Sequence, residues 1–232
     1  MKNGMIVAII GLGVTGMASA TWTDFYTVKT QTSNSGINLD VYQLFARFNG
    51  PTDTVLNAFN LDRTNASGIL NGFYHKDNST GNSGVLSTAT GSWSPSLTGS
   101  ATLNRPFDSY LTVGGIANAA NGTSADPSWG NPLSWNRPDI PNGLNVSWFA
   151  PGGSIAGRVG QPGNTADSVI LGQFVIGRDV TAGVFSISIG YNSGVPGTPV
   201  QFADGTFVLG AVPAPGAIAL LGLAGLTGRR RR

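Results

Sequence analysis

The chain holds a single histidine, His75, within the segment Phe73-Tyr74-His75-Lys76-Asp77. A Ser–His–Asp triad needs a histidine as its general base, so a hydrolase of that kind would have to be built on His75. Its place at the end of an expected strand is more typical of a surface or turn residue. The segment 152–157 contains Ser154 but lacks the spacing of a nucleophile elbow. These residues therefore do not predict a serine hydrolase.

The acidic residues offer a second kind of chemistry, because all 11 of them are Asp and none is Glu. Glycosidases use a pair of carboxyl groups, one as the acid and one as the base or nucleophile. No motif places two of these Asp residues together. Asp also favours turns, which accounts for Asp126, Asp139 and Asp204 without catalysis. We therefore predict that the protein is not an enzyme.

Two other binding motifs are incomplete. Calcium takes several oxygen ligands, and the run 77–80 with Asp24 or Asp179 could supply some, but there is no EF-hand or Gly-Asp repeat. The run 11–16 reads G-x-G-x-x-G after apolar residues, as in dinucleotide-binding turns. That site needs a helix after the third glycine, and the residues that follow favour a strand. We predict no metal site and no cofactor.

The tryptophans of the long loops are the best candidates for a binding surface. The stretches 76–100 and 117–143 are rich in Ser, Thr, Gly, Asn or Pro and contain Trp93, Trp129 and Trp135. Flat aromatic rings stack on the C–H faces of sugars, and nearby Asn side chains could add hydrogen bonds. In the alternative interpretation, the three tryptophans are buried and pin the loops to the core.

The elements that would position these residues are strands. Apolar and polar residues alternate with period two, most clearly in 185–191, where the apolar residues would face a core and Ser186 and Ser188 water. The expected strands are 24–30, 42–48, 54–61, 109–113, 145–149, 168–176, 185–191 and 206–209. Strand 168–176 is apolar on both faces, which indicates a central strand. Turns are expected at 49–51, 192–194 and 204–205.

The strand and turn pattern predicts an all-β fold, a single β-sandwich or jelly-roll-like domain with long loops over residues 21–210. The region 173–210 is weakly similar to the end of cohesin-like bacterial surface β-sandwiches. The resemblance consists of a strand, a hairpin and a final strand led by Asp204-Gly205. It implies no role for any single residue.

The N-terminal 20 residues have the three parts of a secretory signal peptide. Lys2 supplies the positive start, 5–17 is an apolar run, and Ala18-Ser19-Ala20 is an A-x-A cleavage pattern. The apolar run has about 13 residues, short of the roughly 20 that a membrane-spanning helix needs. We expect export by the Sec translocon and a mature chain that begins at Thr21.

The C-terminal residues 211–232 also combine three parts in order. Val212, Pro213, Ala214, Pro215 and Gly216 form a stiff, extended motif that cannot join a helix. The apolar run 217–228 can enter a bilayer as a short helix, about 20 Å long, which spans only with flanking residues or a thinner membrane. Arg229, Arg230, Arg231 and Arg232 resist crossing and hold the end in the cytoplasm. A simple C-terminal membrane anchor is the alternative interpretation.

This tail is similar to the PEP-CTERM sorting domain of exopolysaccharide-producing Gram-negative and planctomycete-type bacteria, in its VPAPG variant. The resemblance covers about residues 212–232. In that family the motif, the apolar helix and the basic end are recognised by an exosortase, a membrane enzyme thought to act as a Cys-dependent transpeptidase. The resemblance implies an exosortase as processing partner. Ala214 stands where the family usually has Glu, which leaves the exact cut position open.

The charge distribution excludes a nucleic-acid partner. Lys2 and the four terminal arginines are five of the 13 basic residues, and the rest of the chain carries 8 basic and 11 acidic residues, a net charge of −3. Nucleic-acid binding needs a basic patch that neutralises phosphates, and these basic residues are scattered. The chain has no Cys, so its stability must come from a core.

We therefore expect a secreted, surface-sorted bacterial protein, held at the membrane by its C-terminal helix before processing. Its place is the cell surface or extracellular matrix of a Gram-negative-type bacterium. Its expected role is structural or adhesive, in an exopolysaccharide matrix. The alternative is a carbohydrate-binding module or carbohydrate-active enzyme that is sorted in the same way, with a polysaccharide as partner.

Overall fold

The computed structural model is all-β. It describes residues 20–65, 72–76, 85–89, 91–94, 105–115, 122–130, 135–137, 139–141 and 146–210. The strands are β1 (Trp22–Asn34), β2 (Ile37–Phe48), β3 (Thr54–Asn65), β4 (His75–Lys76), β5 (Leu86–Ser87), β6 (Tyr110–Leu111), β7 (Ser124–Ala125), β8 (Trp148–Phe149), β9 (Ser168–Gly177), β10 (Gly183–Asn192) and β11 (Gln201–Leu209). Two short 3-10 helices, Arg105–Phe107 and Pro127–Trp129, lie between strands.

The strands pair antiparallel in two main sheets and one small hairpin. Sheet A has the order β1-β2-β9-β6, sheet B has the order β11-β10-β3-β8-β7, and β4 pairs with β5. Strands β1 and β2 form a long hairpin that runs from the pair Trp22–Phe48 to the pair at the turn. In that turn, Ser35 and Gly36 have φ values of 50° and 81°. This is the type I′ geometry that matches the twist of the two strands.

Sheets A and B pack against each other through an aromatic core. Phe174 of β9 stacks on Phe207 of β11, with ring centroids 5.8 Å apart. Trp148 of β8 is fully buried, and its Nε1 donates to the carbonyl oxygens of Thr112 and Leu171 at 3.1 and 2.9 Å. Each fully buried large side chain contributes roughly 1.5–3 kcal/mol. The core thus ties both sheets together without a disulfide.

The outer face of sheet A carries a second, smaller cluster of buried residues, Leu39, Val41 and Val175. The side chains that cover this cluster come from the start of β2, from the β4–β5 region and from the first 3-10 helix, and they are Ile37, Tyr74, Leu86 and Phe107. This part of sheet A is therefore buried on both faces.

The outer face of sheet B is different, because large apolar side chains remain exposed on it. Phe149 is 42% exposed, Val184 is 38% exposed and Phe202 is 68% exposed. Their strand neighbours Trp148 and Phe185 are fully buried in the core. The period-two alternation of these strands thus places one apolar row inside and another in solvent.

Most of the expected strands are confirmed, in longer or shorter form. Strand β9 lies between β2 and β6, and all but the last of its ten residues are buried, so the prediction of a central strand at 168–176 is correct. The expected strands at 109–113 and 145–149 shorten to the two-residue strands β6 and β8. Strands β4, β5 and β7 were not predicted.

The turn expected at Asp204-Gly205 is wrong. Both residues lie inside β11, where they pair with Ser188 and Ile187 of β10. A Cβ on Gly205 would lie 2.7 Å from the Phe25 ring. Glycine at this position therefore indicates the close approach of an aromatic ring to the strand backbone, and not a turn.

Candidate functional site

The three tryptophans predicted to bind carbohydrate lie in the core. Trp93 and Trp129 are fully buried and Trp135 is 4% exposed. The Trp93 ring packs on Trp129 at 5.2 Å between centroids, and its Nε1 donates to the Arg137 carbonyl oxygen at 2.9 Å. A buried indole presents no ring face to a sugar, so the predicted contact at these residues is wrong. The alternative, in which they pin the loops to the core, agrees with their burial.

His75 is also buried, which corrects the expectation of a surface or turn residue. Its side chain is fully buried, its ring packs edge-on against Trp93 at 4.7 Å, and its Nδ1 lies 3.5 Å from Asp108 Oδ1. Among the described residues, neither ring nitrogen has a hydrogen-bond partner. A triad needs a hydroxyl hydrogen-bonded to the imidazole, and the described structure brings none to His75.

The best-connected carboxylate of sheet A is Asp40, which is fully buried. It lies 2.6 Å from Lys29 Nζ and 3.7 Å from Arg178 Nε, and Gln31 Nε2 donates to it at 3.1 Å. The hydrogen bond that Lys29 donates to Asp40 raises the pKa of Lys29. This carboxylate is thus neutralised by side chains of its own sheet.

Three further Asp residues have structural partners. Burial acts to raise the pKa of Asp139, but its hydrogen bonds and charge pairing with Arg137 and Arg63 lower it below its usual value. Burial raises the pKa of Asp53, whose carboxylate accepts from Gly50 N at 2.9 Å. Asp126 caps the second 3-10 helix. Over the described ranges, no three His or acidic residues group to hold a metal ion.

Side chains of the outer face of sheet B line up in a row across four strands, which we call the outer row. Phe202 pairs with Gly190, Gly190 pairs with Asn57, and Asn57 pairs with Phe149. The Asn57 side chain lies over Gly190, whose N donates to Asn57 Oδ1 at 2.9 Å, and a Cβ there would lie 2.4 Å from Asn57 Oδ1 and 3.5 Å from the Phe202 ring. With strands about 4.8 Å apart, the row is roughly 14 Å long.

An aromatic ring and two polar side chains lie beside the outer row, one pair further along the strands. Phe59 of β3 packs edge-on against Phe202, with centroids 6.0 Å apart. The next pair along β10 and β11 is Ser188 and Asp204, and the serine hydroxyl donates to the Asp204 carboxylate. Rings with hydrogen-bonding groups beside them can hold a ligand that has both apolar faces and hydroxyls.

A pocket opens where β3 begins and β10 ends, and we call it the Arg158 pocket. It has a volume of about 340 Å³ and is lined by residues from 153–158 and 194–198, together with Thr54, Leu56 and Asn192. Arg158 lines it and donates from Nη2 to the Gly194 carbonyl oxygen at 2.7 Å. Asn57 and Gly190 of the outer row are close by along the same two strands.

The outer row and the Arg158 pocket were not predicted from the sequence, although the alternation around Phe149 and Phe202 was visible there. Buried Trp148 and Phe207 point inward, so alternation alone places Phe149 and Phe202 outside. The turn-like Asp204-Gly205 hid the first half of β11. The Arg158 pocket joins loops that are far apart in sequence, and no local pattern marks it.

Comparisons with known proteins found no matching family model, no similar curated protein and no similar solved structure. The fold and the surface therefore define only a class: an all-β protein made of antiparallel sheets. Neither 3-10 helix nor any other helical segment in the described ranges is long and apolar enough to cross a membrane.

The residues of the two predicted sorting signals fall mostly outside the described residues. Ala18 and the whole of 211–232, with the motif Val212–Gly216 and the four terminal arginines, lie there. Ala20 is the first described residue and is buried in the main core at 3% exposure. Cleavage after Ala20, the C-terminal helix and exosortase processing stay predictions.

Proposed function

We propose that this chain is an exported, surface-sorted bacterial protein with a structural or adhesive role in an exopolysaccharide matrix. Residues 1–20 direct it through the Sec translocon, and residues 211–232 hold it in the membrane until an exosortase processes it. The two packed sheets form a single β-sandwich, jelly-roll-like in outline, over residues 21–210. The protein acts by binding and by packing in the matrix, not by catalysis.

The observation that carries this proposal is the amino-acid sequence of the C-terminal tail. A Pro-x-Pro motif, an apolar run and four arginines follow one another in residues 212–232, and an A-x-A signal stands at the other end of the chain. Basic residues beside an apolar segment fix its cytoplasmic side. The chain has no cysteine, so the proposed export requires no disulfide formation.

Mass spectrometry of the mature protein from its native cell tests the sorting. The expected mass lacks residues 1–20 and the segment after the 212–216 motif, with or without an added group at the new C-terminus. A variant with Pro213→Ala and Pro215→Ala should stay unprocessed in the membrane fraction. Full-length chain free in the cytosol, with its tail intact, would overturn the proposal.

A second candidate function is polysaccharide binding on the outer row. The specific observation in its favour is the exposure of Phe149 and Phe202 in one row with Asn57. Sugar rings stack on aromatic faces, and a row of about 14 Å offers space for several sugar units. In this candidate, the adhesive role is performed by stacking and hydrogen bonds.

Affinity electrophoresis on the exopolysaccharide of the producing cell tests the second candidate. The wild-type chain should be retarded, and Phe202→Ala should lose most of the retardation. Tyr26→Ala is the matched control, because Tyr26 is an aromatic residue of sheet A that already stacks on Phe45 at 5.3 Å. Equal retardation of all three proteins would count against binding at the outer row.

A further inference from the structure

Arg158 differs from four other arginines of the described residues in its partners. Arg47, Arg63, Arg137 and Arg178 each have an Asp carboxylate within 4 Å. Within the described ranges no carboxylate pairs with Arg158, whose Nη2 donates to the carbonyl oxygen of Gly194. Its Nε is buried and has no hydrogen-bond partner. Nε is thus closed off from the pocket, but Arg158 lines it, and a guanidinium that has no carboxylate partner is suited to an anion.

The rest of the pocket lining supports the same ligand charge. None of its lining residues is acidic, although the chain outside its two ends is acidic overall. The Asn192 side chain accepts from Gly194 N at 2.9 Å through Oδ1, which leaves its Nδ2 as a donor. Ser154 Oγ accepts from Ala156 N at 3.2 Å, which leaves its hydroxyl proton. The pocket therefore presents donors to a ligand.

The walls of the pocket are apolar and exposed. Ile155 is 59% exposed and Val195 is 40% exposed, and both line the pocket next to Pro196. A volume of about 340 Å³ is at the small end of the range for small-molecule sites. This combination suits a compact ring with C–H faces and one carboxylate, because a guanidinium forms paired hydrogen bonds with a carboxylate.

We propose that the Arg158 pocket binds the carboxylate of an acidic sugar, a hexuronate unit of a polysaccharide. Arg158 holds the carboxylate, Asn192 and Ser154 contact ring hydroxyls, and Ile155 and Val195 pack on the ring. The pocket lies two to three residues beyond Asn57 and Gly190 along β3 and β10, so one glycan can reach from the outer row into it. The choice of a sugar rests on the second candidate function, and the choice of an anion rests on the pocket alone.

Isothermal titration of the full chain in mild detergent tests the proposal with three probes. These are a trisaccharide that ends in glucuronate, the matching neutral glucose trisaccharide, and an N-acetylated dipeptide with a free C-terminal carboxylate. The glucuronate probe should bind at least tenfold more tightly than either of the others. Equal binding of the neutral trisaccharide would overturn the anion site, and equal binding of the dipeptide would overturn the assignment to a sugar.

Two variants separate the pocket from the fold. Arg158→Gln should weaken glucuronate binding at least tenfold, but it also removes the bond to Gly194. Ile155→Asp leaves that bond in place and adds a carboxylate at an exposed position, so it should weaken binding to a similar degree while the far-ultraviolet spectrum stays unchanged. Arg47→Gln, on the outer face of sheet A, is the control and should bind like wild type. Wild-type affinity in a folded Ile155→Asp variant would overturn the proposal.

The same titrations distinguish binding in the Arg158 pocket from binding on the outer row. Glucuronate binding that is lost in Ile155→Asp but kept in Phe202→Ala supports the pocket and counts against the outer row. Retention of the protein by exopolysaccharide without glucuronate binding overturns the pocket and leaves the outer row. Neither result depends on the mass of the mature chain, which tests the sorting signals separately.

Discussion

The outer faces of sheets A and B both carry large apolar side chains, which are buried on sheet A and exposed on sheet B. On sheet A, Leu39, Val41 and Val175 are covered by side chains from neighbouring segments. On sheet B, Phe149 and Phe202 remain exposed. Burying an apolar side chain stabilises the fold, and leaving it in water does not. The covered face thus serves stability, and the open face is available for contact with another molecule.

The largest expected effect comes from truncating one apolar residue on each face. Leu39→Ala should lower the free energy of unfolding by about 2–5 kcal/mol, because it leaves a cavity under the cover of sheet A. Phe202→Ala should lower it by no more than about 1.5 kcal/mol, since the side chain is mostly in solvent and loses only its edge-on contact with Phe59. Urea denaturation followed by tryptophan fluorescence measures both. A large loss in Phe202→Ala would mean that the open face is covered after all.

Adding one methyl group at two glycines gives a smaller contrast. Gly91 has φ +138°, and a Cβ there would lie 2.1 Å from the Cβ of buried His75. Gly91→Ala should therefore cost about 1–3 kcal/mol. Gly152 has open space and a backbone that other residues adopt, so Gly152→Ala should be neutral or stabilise by up to about 1 kcal/mol. Thermal unfolding of the two variants side by side tests this difference.

The two ends of the outer row, Phe149 and Phe202, should contribute independently to polysaccharide affinity. Phe149→Ala and Phe202→Ala should each weaken polysaccharide binding about fivefold, since a stacked ring contributes roughly 1 kcal/mol. The double variant should then bind about 25-fold more weakly, as expected for separate sites. Affinity electrophoresis with a concentration series measures the three dissociation constants. Loss of all binding in either single variant would contradict an extended row.

The charged groups of the two regions should respond to opposite ends of the pH scale. The raised pKa of Lys29 means that its pairing with Asp40 stabilises sheet A below about pH 10.5, the usual lysine value, and is lost as pH rises through the higher folded-state pKa. The lowered pKa of Asp139 means that its pairing stabilises the fold above about pH 4 and is lost as pH falls through the folded-state pKa. The urea midpoint plotted against pH should therefore fall at high pH, which we call the alkaline limb, and at low pH, which we call the acid limb.

Two variants test which ion pair causes each limb, and they have the smallest expected changes in stability among these predictions. Asp40→Asn should flatten the alkaline limb, because Lys29 then has no carboxylate to pair with. Asp139→Asn should flatten the acid limb alone, because Arg137 and Arg63 then have no charge to pair with. A fold whose acid limb is unchanged in Asp139→Asn derives its acid sensitivity from other carboxylates.

The strands that were predicted are those whose pattern is local. Strand β9 is apolar on both faces over ten residues, so its central place could be read from the sequence alone. The two-residue strands β4, β5 and β7 exist only through pairing with distant segments, and no local periodicity marks them. The Ser35-Gly36 turn also lacks the Asn-Gly or Asp-Gly pair that usually predicts a two-residue hairpin.

The candidate site was harder to predict, because burial depends on contacts between distant segments. Trp93 and Phe202 are both aromatic residues in variable surroundings, and the first is fully buried while the second is mostly exposed. His75 is buried by Trp93, Gly91 and Asp108, which lie 16 or more positions away. Composition predicts that large rings will be covered, but it does not say which of them will remain outside.

The buried indoles have an optical consequence. Trp93 and Trp129 lie 5.2 Å apart, and Trp129 and Trp148 lie 5.7 Å apart. Indoles at this distance exchange excitation energy before they emit, so the native protein should emit blue-shifted, strongly depolarised light. Unfolding separates the rings, ends this transfer and shifts the emission to the red. The chain thus carries its own fluorescent reporter of the contact between its loops and its core, without any added label.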